Sequence, residues 1–398
     1  MDRFAPPRII AMPEEPASAP SRVLWQSSSA EKAVARIAIV GDFLPSGRLA
    51  LPEGETWQSM ARLVTPVFQD ADIGIVNLEA VLDAAGLPPR RLNGLGDIVS
   101  APADSLDYLV ALRLQIVGAA NNHSFDFGSA GVDHTLAAIS CRGLSPIGAG
   151  RSLRDSPGVF IWNGPENLRV GFWVAAKATR DPATRRFAGV EPATLARAMQ
   201  ALRSLRAAGA QFCVGLLHAG FLRTSHPDPE DVRLLDSLAA AGFDVVAASH
   251  SHRISGARLV ASSCRTSACF YGLGSLVSGY ISSSLEAEGL VVVVSITDQG
   301  ALAQLEVRPV VLSQDGWAVV PSEAEAHAIL ERFEELSRRI ANGSFSSQFY
   351  RDVSESMFDV YWRDARATFR ESGVSGLLHR ARRIRLRHVK RLVRAVVG

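Results

Sequence analysis

Cysteine is scarce in this chain: four residues in 398, Cys141, Cys213, Cys264 and Cys269, with no C-x-x-C pair among them. That density excludes a disulfide scaffold and makes a reducing compartment the default. Cys264 and Cys269 are five apart in "SSCRTSACFYGLG", which is no recognised ligand spacing, so they are read as structural cysteines. A dominant charge is also lacking. The 42 Lys and Arg against 40 Asp and Glu leave a net +2, which gives the whole molecule no electrostatic reason to hold nucleic acid. No sequence-specific nucleic-acid partner is expected. No apolar run reaches the roughly 18 residues of a membrane-spanning helix. The N-terminal "MDRFAPPRIIAMPEEPASAPSRVLWQSSSA" is interrupted throughout by Pro, Glu and Ser and has no signal-peptide core. Residues 1–32 are therefore read as a flexible leader. The expected location is the cytoplasm, with peripheral membrane attachment left open. "GAANNHSFDFG" is bounded by glycines but has no P-loop lysine, and no repeat of fixed period occurs.

What is present is a recurring grammar. "ARIAIVGDF" (35–43), "DIGIVNLEA" (72–80), "LQIVGAANNHSFDFG" (114–128), "QFCVGLLHAG" (211–220) and "FDVVAASHSH" (243–252) are apolar runs that deliver polar residues at their C-terminal ends. Helical patterns over 129–143, 191–209 and 228–242 lie between them, several closed by glycine. Further strands are expected over 169–177, 268–277, 289–298 and 302–312. Strands alternating with helices predict an α/β architecture, with ligands gathering beyond the carboxyl ends of the strands. From about 321 the pattern turns helical, and Ser322 with Glu325 three residues on is a capping-box signature. The chain closes on a basic amphipathic stretch with eight Lys or Arg between 380 and 394. Such a helix suits an anionic membrane surface or an acidic partner, or packs on the α/β part with its arginines solvated.

The strand ends collect Asp42, Glu79, Asn122, His123, His218, His250 and His252. Carboxylate, amide oxygen and imidazole without thiolate are the donor set of one or two divalent ions such as Mn, Fe, Zn or Mg. In the extended "SHSH" segment, His250 and His252 can point to the same side. A carboxylate such as Glu79 can bridge two ions, and a pair about 3.5–4 Å apart supports hydrolysis at a phosphoryl or acyl centre. His123 is then the natural proton donor to the leaving group. Taken singly, each residue has an ordinary reading as a cap, a turn former or a core histidine. Five strand ends supplying suitable ligands together are harder to explain that way.

These residues resemble the CapA-type capsule or poly-gamma-glutamate biosynthesis proteins. The resemblance lies in "GDFLPSGR" (41–48), "NLEAVL" (77–82), "ANNHSFDFGSAGVDHTL" (120–136), "GAG" (148–150), "LLHAG" (216–220) and "SHSHRISG" (249–256), in family order. It implies a bacterial protein with an α/β, calcineurin-like metallophosphoesterase sandwich, mixed β-sheets flanked by helices, over 33–312. An appended helical region would occupy 313–398. It further implies that Asp42 and His252 serve one metal and that Asn122, His218 and His250 serve the other, with Glu79 bridging and His123 acting as the acid. Arg48, Asn121 and Asp126 are carried over as substrate-binding residues. Leu44 stands where the wider phosphoesterase pattern has a metal-binding His, and Ser275 where the family has Asn. Two functions stay open: a metal-dependent hydrolase acting on a phosphoester or amide-linked, polyglutamate-like polymer, and a non-catalytic accessory protein of a polymer synthesis or export system.

Overall fold

Alternation of side chains along the strand Ala33–Gly47 decides the layering. Ile37 and Ile39 enter one apolar layer, while Ala38 and Val40 enter another, as successive residues of a pleated strand must. The computed structural model describes residues 19–28, 32–90, 98–152, 158–177, 182–184, 187–261 and 265–354. Within them, a nine-stranded sheet runs in the order Arg22–Gln26, Leu302–Leu312, Glu288–Thr297, Ala33–Gly47, Ile73–Leu78, Ile116–Gly118 and Ser145–Ile147. Ser275–Gly279 is added beside Ala33–Gly47, and Ala318–Val319 beside Leu302–Leu312. A six-stranded sheet runs Ala257–Ala261, Thr266–Phe270, Val245–Ser249, Phe212–His218, Arg169–Ala176 and Val159–Asn163.

The two sheets face each other across a shared core in which Ile37, Ile39, Ile75 and Val292 meet Phe172, Val214, Leu216 and Phe270. On the outside of the first sheet, Ala38, Val40 and Val76 are covered by Trp57, Met60, Tyr108 and Leu109 from short helices. The outside of the second sheet, with Trp173, Cys213 and Val246, is covered by the helices Leu195–Ala207 and Pro229–Ala241 through Leu202, Leu205, Leu235 and Leu238. The result is the expected α/β sandwich, sheet on sheet with helices outside both.

Parallel pairing brings the site-bearing strand ends to one edge. Ala33–Gly47, Ile73–Leu78, Ile116–Gly118 and Ser145–Ile147 run parallel in the first sheet, and Arg169–Ala176, Phe212–His218 and Val245–Ser249 in the second. Asp42 is in register with Asn77 on one side and Ser275 on the other, and His218 with Ser249. The close approach that allows this is made by glycine. A Cβ on Gly41 would lie 2.0 Å from the Gly274 carbonyl oxygen, so no larger residue fits there.

Three details differ from the sequence reading. Within the expected leader, Arg22–Gln26 forms an edge strand antiparallel to Leu302–Leu312. The single strand expected over 268–277 is two, Thr266–Phe270 in one sheet and Ser275–Gly279 in the other. Gly274 turns the chain between them with φ 69°, a left-handed conformation that suits glycine. Finally, the region after 312 is not wholly helical, since Ala318–Val319 extends the first sheet.

The helix Glu323–Ala341 that follows starts at the expected capping box, with Ser322 and Glu325 bonded reciprocally. It lays Ile329, Leu330, Phe333 and Leu336 into the inter-sheet core, where Phe333 stacks on Phe270. The chain is helical again from 345 to 354. The basic stretch over 380–394, residues 1–18 of the leader and Cys264 lie outside the described residues. No helix among the described residues is long and apolar enough to cross a membrane.

Candidate metal centre

Asp42 is the fixed point of the site. It is fully buried at the end of Ala33–Gly47. Its Oδ1 accepts from the Asn77 amide nitrogen at 2.6 Å and its Oδ2 from the His250 backbone N–H at 2.9 Å. His218 Nδ1 lies 3.5 Å from Oδ1 and His252 Nδ1 lies 3.3 Å from Oδ2. Burial alone would raise the Asp42 pKa, but hydrogen bonds to His218 and His252 hold it well below the usual carboxylate range.

Glu79 follows two residues after Asn77, just past the strand Ile73–Leu78. Its Oε1 is 3.6 Å from His218 Nε2 and 3.9 Å from His123 Nε2, and its Oε2 is 3.7 Å from His252 Nε2. Burial, with the Asp42 charge adding to it, pushes its pKa up. Glu79 Oε2 and His250 Nδ1 are both buried without a hydrogen-bond partner, a costly arrangement for polar atoms.

The histidine loop is held in an unusual backbone conformation: His250 has φ 114° and His252 φ 56°. Left-handed angles at non-glycine residues persist where surrounding contacts impose them. Here they turn both imidazoles toward the carboxylates, with the His250 ring 4.5 Å from His218 and 6.4 Å from His252, centre to centre. Burial and the neighbouring His218 and His252 push the His250 pKa well down, which leaves a neutral imidazole. At His252, burial lowers the pKa, but Glu79 and Asp42 outweigh it and raise the value to about 9.

Two overlapping clusters result. Potential ligand atoms of Glu79, His218 and His250 lie within 4.8 Å of one another, as do those of Asp42, Glu79 and His252. Asn122 joins the first, its side-chain oxygen 2.5 Å from His218 Nε2. The donor set, the buried unpartnered atoms of Glu79 and His250, and a shared central carboxylate all fit divalent cations bound by nitrogen and oxygen.

His123 lies at the rim, its Nδ1 2.8 Å from Asp126 Oδ2. Burial works against protonation of His123, yet the Asp126 hydrogen bond and the Glu79 charge raise its pKa. Asp126 and Asn121 are placed differently from the substrate-binding expectation, because both are buried and their polar atoms are used within the protein. Asp126 orients His123 and accepts from the Val99 N–H at 2.8 Å. Asn121 donates to the Leu78 carbonyl at 2.6 Å and accepts from the His123 N–H at 3.0 Å. Arg48 is exposed, with its guanidinium donating to the Ile281 carbonyl at 2.8 Å.

Sequence reasoning missed Asn77, whose amide touches Asp42, His218 Nδ1 at 3.1 Å and Asn121. The signal was available: Asn77 and Glu79 are two apart on an extended segment and so share a face. Leu44 is buried among the apolar residues outside the first sheet and offers no ligand, while Ser275 Oγ lies 3.2 Å from His252 Nδ1.

Comparison with known proteins gives a family. The model of the family "Bacterial capsule synthesis protein PGA_cap" matches residues 36–280. A Mycobacterium tuberculosis protein described as "Probable polyglutamine synthesis accessory protein" is 25% identical over 323 residues, spanning 74% of this chain and 80% of that one. The "Capsule biosynthesis protein CapA" of Bacillus anthracis is 22% identical over 187 residues, 45% of this chain and 44% of that one. Among solved structures, the calcineurin-like phosphoesterase YfkN from Bacillus subtilis aligns at 12% identity and TM-score 0.42, covering 76% of this chain and 97% of that one. A 5'-nucleotidase precursor from Thermus thermophilus aligns at 16% identity and TM-score 0.43, covering 76% of this chain. This chain spans 58% of the length of that nucleotidase.

Proposed function

The chain belongs to the bacterial capsule synthesis protein family, and on that premise we propose that it is a metal-dependent hydrolase in capsule or poly-gamma-glutamate polymer biosynthesis. Its substrate would be a phosphoester or an amide-linked, polyglutamate-like chain. The observation that supports this best is Glu79, a buried carboxylate shared by two ligand clusters with one oxygen unpartnered. Asp42 and His252 would hold one ion and Asn122, His218 and His250 the other, with Glu79 between them; Mn, Fe, Zn and Mg all suit these donors. When bound, such ions supply an activated water and neutralise charge on the attacking and leaving oxygens.

The chain's own residues do the rest. Asn77 and the His250 N–H keep Asp42 oriented, while His218 and His252 hold its pKa down. His123, steadied by Asp126, carries the proton for the leaving oxygen or nitrogen. The test is the double substitution of Glu79 and His250 with alanine. Elemental analysis should show bound metal lost, and manganese-dependent turnover of a phosphodiester or a glutamyl amide should disappear with it. Bound metal unchanged in that variant would sink the site assignment.

A second reading, a non-catalytic accessory protein, has one observation in its favour. Leu44 is buried in an apolar layer, which removes a ligand present in the wider phosphoesterase pattern. No turnover of phosphodiester or glutamyl amide by the manganese-loaded chain would favour it.

A further inference from the structure

Three strand ends of the metal edge are followed by arginines that converge on one short segment. Arg48 follows Ala33–Gly47 and donates to the Ile281 carbonyl at 2.8 Å. Arg223 lies beyond Phe212–His218, and its backbone N–H donates to the Ser251 carbonyl at 2.9 Å, between the two site histidines. Arg253 directly follows His252. Arg223 Nε and Arg253 Nη2 lie 3.4 and 3.6 Å from the same oxygen, Glu286 Oε1. Neither approach completes a hydrogen bond to that oxygen. Glu286 is 4% exposed, and its other oxygen is taken by the N–H and hydroxyl of Ser282. Arg253 Nη2 is also 3.5 Å from Ser283 Oγ, while Arg253 Nε is buried with no acceptor.

Two guanidiniums thus share one carboxylate. Like charges in a partly desolvated place repel each other, and Glu286 balances only one of them. The excess charge and the unspent donors sit on the loop that carries His250 and His252. Guanidinium groups recognise planar or tetrahedral oxyanions through paired N–H donors, a geometry that lysine does not offer.

We infer that Arg223 and Arg253, positioned by Glu286 and flanked by Arg48, form an oxyanion subsite beside the metal centre that binds a non-reacting carboxylate or phosphate of the substrate. This rests on the hydrolase reading for its biological use, but not for its test. The subsite would select polyanionic chains and fix the register of the scissile bond, so that remote binding contributes to the reaction. Glu286 is a positioning residue here, touching arginines rather than ligand.

The test uses the full chain loaded with manganese and fluorescent decamers of glutamate, phosphoserine and serine, read by anisotropy at low and moderate salt. The glutamate or phosphoserine decamer should bind and the serine decamer should not; whichever anion binds more tightly identifies the group recognised. R223Q/R253Q should weaken that binding by about tenfold or more, with bound metal per chain unchanged, and R253K should fall between it and the wild type. R338Q, which alters an exposed arginine paired with Glu335 rather than Glu286, should change nothing. Equal affinity in the double variant, or equal binding of the serine decamer, would overturn the inference. Arginine-dependent binding without any turnover would support the subsite and count against hydrolysis alone.

Discussion

Asn77 shows how much of the site is arranged by groups that would not touch a metal. Its amide bridges Asp42, His218 and Asn121 inside the protein. Residues in this role usually contribute about 10–100-fold in metal affinity. Asn77→Ala should therefore weaken manganese binding by about that factor in a competition titration; unchanged affinity would remove it from the site. His123 is a different case, because its loss should spare the metal. His123→Gln should lower turnover by about 10²–10⁴-fold with metal content intact. Asp126→Ala should lower turnover in the same direction but by less, since Asp126 would act on the reaction through His123 Nδ1 while its bond from the Val99 N–H holds the loop. The residues of the two clusters were legible in the sequence as a set because each stands at or near the end of an apolar run, where parallel strands deliver polar residues to one edge. The internal hydrogen bonds of Asn121 and Asp126 were not legible in the sequence. Whether a side chain faces substrate or a neighbouring imidazole depends on loop geometry that spacing does not encode.

At the level of elements, regular segments were read well and junctions poorly. The strand Leu302–Leu312 and the helix start at Ser322 agree with expectation, since both rest on local pattern and capping chemistry. The break of 268–277 into strands of two different sheets was hidden, because Gly272 and Gly274 look like an ordinary interruption while their consequence is tertiary. Arg22–Gln26 was hidden for a related reason: an edge strand is confirmed only by its partner, nearly 300 residues away in the chain. The capping box offers a direct check on local stability. Ser322→Ala should cost about 0.5–2 kcal/mol in urea unfolding, and no change would mean that tertiary packing alone fixes the helix start. Beyond His218, Phe349 is fully buried and packs edge-on against Phe221, and His226 pairs with Asp352 at 2.8 Å. The helical stretch over 345–354 therefore packs against the loop that follows Phe212–His218.

For the whole molecule, the sandwich joins two sheets whose outer helices are tied on by buried polar contacts as well as by apolar packing. Arg308, 7% exposed on the strand Leu302–Leu312, grips Asp70 through both terminal nitrogens and also donates to the Val67 carbonyl at 2.8 Å. The Arg308 hydrogen bonds hold the Asp70 pKa below its ordinary value. Because the folded value is the lower one, the stabilisation is present above the unfolded pKa of about 3.9 and is lost as pH falls through the folded value. Asp70→Asn should thus lower the urea midpoint at neutral pH and narrow the gap to wild type in acid; an equal loss at both would contradict the pairing.

The central claim is that one edge of this sandwich holds divalent ions around Glu79. Crystals grown with manganese, measured on both sides of its absorption edge, test it most directly. Two anomalous peaks are predicted beside Glu79, one against Asp42 and His252 and the other against Asn122, His218 and His250. No peak there, or peaks only elsewhere on the chain, would contradict the account.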